Sequence, residues 1–223
     1  MNSRNKLMLK WIGILYILGT IIVATTVVSI TFLLGKDISM DMLTHITSCV
    51  IYIIAGMITI KLYWGIIYKD FGNTKSLGSW IWQTIMFSII YLIINILLTR
   101  LLYLLNNLMI THNEQIISGY DNSGIVTVLS VIAMCFMGPL VEEILFRYIY
   151  QNWLVSKMKM CNGIAIVIVS ISFGMIHSGL SVLELSYYSI LGLILGLIYD
   201  HTDSITMVIM IHMINNTVGM LTD

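Results

Sequence analysis

Proline is almost missing from this chain of 223 residues: there is one, Pro139. Charge is nearly as scarce. Lys, Arg, Asp and Glu make up 10 % of the residues, against about 25 % in soluble domains. Formal net charge is +0, which removes the basic footprint that nucleic-acid binding needs. The three cysteines, Cys49, Cys135 and Cys161, are scattered, and with no Cys-x-x-Cys they indicate neither a disulfide framework nor a thiolate zinc site. Pro/Ser-rich linkers are absent, so the chain reads as one structural domain. Strict apolar–polar alternation is absent too, which excludes a transmembrane β-barrel.

What the chain has instead is apolar surface, 58 % of its residues. The runs repeatedly reach the ~20 residues that cross a bilayer. The fold class is therefore all-α: a polytopic membrane bundle of seven or eight transmembrane helices, in a multi-pass protein of the cell membrane with lipid as its surroundings. Ile, Met, Asn and Lys outnumber Ala, Pro and Arg in the manner of an AT-rich bacterial genome. Residues 11–34 are too long for a signal-peptide core and follow a basic stretch, Arg4 to Lys10. They read as a first span with a cytoplasmic N-terminus. Further spans are expected over about 42–68, 80–105, 125–154, 162–177, 180–199 and 204–221, the fourth kinked or split at Gly138-Pro139. Gly192-x-x-x-Gly196 in the sixth allows close helix approach.

Charged side chains within such runs are costly, roughly 2.5–3.5 kcal/mol each on insertion scales. Yet Glu142, Glu143 and Arg147 fall within six residues of the fourth run. Glu143 and Arg147 have the i,i+4 order that favours a helical ion pair. Glu142 points about 100° away and is left for chemistry. His177 ends the fifth span, and His212 and Asn216 share a face of the seventh. At ~1.5 Å per residue from one membrane face, Glu142 and Asn216 lie at roughly 18 Å, His177 at roughly 22 Å and His212 at roughly 12 Å, so one slab of the membrane holds them all. Glu184, His45, His112 and His201 lie near span ends or in loops and read as structural.

Taken in order, Glu142-Glu143-x-x-x-Arg147, Phe173-x-x-x-His177 and His212-x-x-x-Asn216 resemble the three motifs of the CPBP intramembrane proteases, the CaaX-protease and bacteriocin-processing (Abi) family. The resemblance covers about residues 125–223, a catalytic core, with residues 1–124 as a three-span scaffold. It implies peptide-bond hydrolysis within the membrane, with Glu142 and His177 activating a water, His212 and Asn216 stabilising the oxyanion, and Glu143 and Arg147 as structural support. The expected substrate is a membrane-associated or secreted peptide precursor, or a membrane protein. Glu142, His177 and His212 are also a two-His, one-carboxylate set for zinc. They lack the local His-Glu-x-x-His spacing of soluble zinc proteases, so the cofactor is either none or Zn, and the reading leans to none. Two other classes share the same residues. One is a non-catalytic immunity or regulatory protein that binds a peptide or membrane partner; the other is an ion-coupled transporter, against which the chain lacks repeat symmetry.

Overall fold

The computed structural model describes residues 40–72, 76–106, 124–178 and 181–222. The span expected at 11–34, the cytoplasmic N-terminus and the polar stretch after residue 106 lie outside the described residues. Six helices follow one another: α1 Met40–Gly72, α2 Leu77–Asn106, α3 Gly124–Ser156, α4 Asn162–His177, α5 Val182–Thr202 and α6 Ile205–Thr222. There is no strand among the described residues. Five of the six are long and apolar enough to cross a membrane, and α4 is the shorter apolar exception.

Their burial is inverted relative to a soluble bundle. On α2 the wide residues Ile81, Trp82, Ile85, Met86, Ile89, Ile93, Ile96 and Leu97 are exposed, a face suited to lipid. The opposite face carries Thr84, Ser88, Tyr91, Asn95 and Thr99, at the three-and-four spacing of one helical stripe, each buried or half-buried.

The chain's single proline does not break α3. The helix runs through Gly124–Ser156 by widening on either side of Pro139. Val131–Met137 and Ile144–Gln151 wind as π-helix, and the α-helical turn between them, Gly138–Glu143, carries the proline and both glutamates. π-Helical backbone bonds from i to i+5 and is frequent at functional sites. Gly138 accordingly donates its N–H to the carbonyl of Ala133, five residues back. The next carbonyl in that register is Met134, and the residue due to meet it is Pro139, which has no N–H.

Close approach of α5 to α4 depends on small residues. A Cβ on Gly192 would lie 3.2 Å from the ring of Phe173, and one on Gly196 only 2.9 Å from Ile166 Cγ2. The helix ends at one membrane face are tied by polar contacts. Asp70, at the end of α1, accepts from the backbone N–H of Thr206 (2.8 Å), the Thr206 hydroxyl (2.5 Å) and the Ser204 hydroxyl (3.0 Å). It thus caps α6 from across the bundle, meeting donors a helix N-terminus leaves open. Asn162 donates to Asp200 and Asn152 to Tyr199 on the same side. The C-terminal ends of α1, α3 and α5 therefore share a face.

Candidate active site

Glu142, Glu143 and Arg147 of α3 each meet at least one partner from another helix. Arg147 and Glu143 are both fully buried, with Nε 3.1 Å from Oε2. This is a contact of charges rather than a linear hydrogen bond. The guanidinium donates instead to the carbonyl of Gly192 on α5 at 3.0 Å and lies 5.1 Å from the centre of the Phe173 ring. Glycine at 192 serves twice: it lets the helices close, and its carbonyl receives the arginine.

Glu143 does more than neutralise Arg147. Its other oxygen, Oε1, accepts a hydrogen bond from His212 Nδ1 at 2.8 Å. A carboxylate only accepts, so Nδ1 carries the hydrogen and Nε2 is turned away from Glu143. His177 is fixed by the same logic. Its Nδ1 donates to the carbonyl of Phe173, one turn earlier on α4, at 2.8 Å, and its ring stacks on Phe173 with centroids 4.3 Å apart. Tyr188 of α5 covers the imidazole from another side at 5.1 Å.

Both Nε2 atoms converge on Glu142. Its Oε2 lies 3.7 Å from His177 Nε2 and 3.9 Å from His212 Nε2. These separations exceed a direct hydrogen bond and are of the size a bridging water spans. The side chains of Glu142 and His177 retain 13 % and 15 % exposure, against none for Glu143 and Arg147. Glu142 and His177 are therefore less completely enclosed than the ion pair beside them.

Asn216 lies one turn beyond His212 on α6, and its described contacts are with other partners. Its Nδ2 donates to the carbonyl of Met134 at 3.0 Å, the group that Pro139 leaves without a backbone donor. Its Oδ1 accepts from Asn215 at 3.3 Å. The structure thus gathers Glu142, His177 and His212 around one point, and anchors Asn216 to the π-helical turn on the same helix as Glu142.

A carboxylate and two imidazoles, each with its far nitrogen bonded to an oxygen, are zinc ligands in kind. Bonds of ~2.0–2.1 Å to a tetrahedral centre would put the ligand atoms about 3.4 Å apart, and the observed separations are wider. Among the described residues no group of three or more His, Cys, Asp or Glu side chains is arranged to hold a metal ion. The set fits zinc in chemistry and not in spacing.

Asn95, Asn215 and Tyr187 escape a reading of motifs. Asn95 of α2 donates to Asn215 at 2.8 Å, and Tyr187 of α5 donates to Asn95 at 2.5 Å. The stripe from Thr84 to Thr99 is the sequence signal that points to Asn95. His45, read as structural, is buried and bonded to Ser130 at 2.7 Å.

Residues 124–218 match the family model described as Rce1-like, Type II CAAX prenyl endopeptidase Rce1-like. The match bears out the resemblance to the CPBP intramembrane proteases and covers α3, α4, α5 and most of α6, including every motif residue. No curated protein and no solved structure matches the chain.

Proposed function

We propose, from a Rce1-like segment that spans residues 124–218, that the protein is an intramembrane endopeptidase in which Glu142 activates water to cleave a membrane-associated peptide. The observation that carries the reading is the convergence of Glu142 Oε2 with His177 Nε2 and His212 Nε2 at 3.7 and 3.9 Å. With Nδ1 donating to Phe173 and Glu143, each imidazole in its neutral form has its lone pair on Nε2, beside the carboxylate. Three acceptors around one small space suit a water that donates both its hydrogens.

The chemistry then follows. The water oxygen attacks the scissile carbonyl carbon as its proton passes to Glu142. The tetrahedral oxygen gains negative charge, and the second hydrogen on Asn216 Nδ2 supplies a donor for it. The C–N bond breaks as Glu142 returns the proton to the leaving amine. No serine, threonine or cysteine lies within the trio's described contacts, which favours direct hydrolysis over a covalent intermediate.

The expected substrate is a short peptide precursor or the tail of a membrane protein, presented at the bilayer. The test uses full-length protein in proteoliposomes with two internally quenched peptides, one ending in a prenylated CaaX sequence and one apolar but unmodified. Cleavage of either, lost by about 10²-fold or more in Glu142→Gln, supports the reading. Equal turnover by wild type and Glu142→Gln overturns it. Activity lost to a chelator and restored by zinc would replace the metal-free route.

A further inference from the structure

Asn216 stands at the end of a hydrogen-bond chain that passes through Asn95, outside the Rce1-like segment. Tyr187 Oη donates to Asn95 Oδ1, Asn95 Nδ2 to Asn215 Oδ1, Asn215 Nδ2 to Asn216 Oδ1, and Asn216 Nδ2 to the carbonyl of Met134. The direction of the chain is set at one end. A backbone carbonyl can only accept, so Asn216 must turn its amide nitrogen to Met134 and its oxygen away. That oxygen requires a donor, which orients Asn215. The oxygen of Asn215 requires one in turn, which orients Asn95, and the oxygen of Asn95 is met by the phenol. Reversing any one amide would set acceptor against acceptor or donor against donor.

The chain is short of alternatives. Asn95 lies on the inner stripe of α2, with Tyr91 one turn before it and exposed apolar residues on the opposite face. The Thr99 hydroxyl donates to the carbonyl of Asn95 and lies 3.5 Å from Tyr187 Oη, farther than the 2.5 Å that separates the phenol from Asn95 Oδ1. In a low-dielectric interior such a chain polarises along its length and holds its members more rigidly than isolated pairs do. With Oδ1 held by Asn215 and one Nδ2 hydrogen held by Met134, the second Nδ2 hydrogen has a single direction left to it.

We propose that Asn95 is a positioning residue that fixes the side-chain amide of Asn216 through Asn215, with Tyr187 setting the polarity of the chain. The proposal rests on the reading of Asn216 as an oxyanion donor for its effect on turnover, and on the hydrogen-bond chain alone for its effect on the amide. It assigns to α2 a part in the site that a scaffold helix would not have.

Two measurements on full-length protein in nanodiscs separate these layers. The first follows the side-chain amide resonances in protein labelled with 15N-asparagine, the Asn216 pair being assigned by its loss in Asn216→Ala. Asn95→Ala and the milder Tyr187→Phe should both move that pair, and Asn95→Ala should move it further. An Asn216 pair unmoved in both variants overturns the relay whatever the enzyme does. The second is a double-mutant cycle on turnover of whichever quenched peptide is cleaved. Asn95→Ala should lower kcat about tenfold with KM unchanged, less than the ~10²–10³-fold for removing an oxyanion donor outright. In an Asn216→Ala background it should cost nothing more. The same tenfold loss in both backgrounds would mark a general structural role and overturn the proposal. Wild-type kcat in Asn216→Ala would instead reject the oxyanion reading, and a moved Asn216 pair would then still support the relay.

Discussion

Glu143 joins Arg147 to His212: one oxygen lies 3.1 Å from the guanidinium Nε and the other 2.8 Å from the imidazole Nδ1. The acid that i,i+4 spacing assigns to helix support therefore also sets the direction in which a site imidazole points.

Glu143→Gln should expose this double duty. Glutamine offers one acceptor where the carboxylate offers two, so either Arg147 or His212 loses its partner. Carboxylates that orient a site histidine are worth about 10–100-fold in function. Peptide turnover per folded molecule should fall within that range, and the melting temperature in detergent should drop as well. Unchanged turnover at normal stability would show that His212 needs no orienting carboxylate.

Arg147→Ala should destabilise the fold by roughly 3–5 kcal/mol, because it leaves Glu143 charged and buried. Arg147→Lys should recover little. A lysine has no fork to reach Glu143 and the Gly192 carbonyl together. Denaturant titration of the purified protein measures both, with Glu142→Gln as the control that should unfold like wild type.

The two glycines of α5 should separate stability from activity. Alanine at 196 meets Ile166, and alanine at 192 meets Phe173; over-packing costs typically ~1–3 kcal/mol. Phe173 also stacks on His177 and accepts its Nδ1 hydrogen. Gly192→Ala should thus reduce kcat beyond any loss of folded protein, whereas Gly196→Ala should lower the melting temperature and leave kcat per folded molecule near wild type.

Pro139→Ala supplies an N–H where Met134 lacks one. The backbone should then compete with Asn216 for that carbonyl. The expected outcome is a helix at least as stable as wild type by thermal melting, with lower kcat and a displaced Asn216 side-chain amide resonance. A variant with wild-type kcat and an unmoved resonance would show that the proline does not create the anchor for Asn216.

Composition carries the membrane class, and unbroken apolar runs without alternation make it helical. The expected spans at 125–154 and 162–177 agree with α3 and α4 to within two residues. Depth counting along straight helices puts Glu142 near His177 and His212, as the contacts do, since each sits within about fifteen residues of a shared membrane face. It fails to find the partner of Asn216. The count assumes α-helical rise throughout, while α3 winds as π-helix on both sides of Pro139, and no residue pattern announces that register. Asn95 was readable as one of five polar residues on a single stripe of α2. What such a stripe touches depends on tertiary packing, which spacing within one helix does not contain.

The cap that Asp70 places on α6 has a consequence for the order in which the protein comes into being. Ribosomes build chains from the N-terminus, so α6 emerges after every group that holds it: Asp70 of α1, Asn95 of α2 and Glu143 of α3. His212 travels on that helix. Until α6 has entered the bilayer and found its cap, Glu142 faces one imidazole instead of two. A nascent chain caught before that moment holds the proposed site with a part missing, and the arrival of α6 brings its cap and its imidazole into place together.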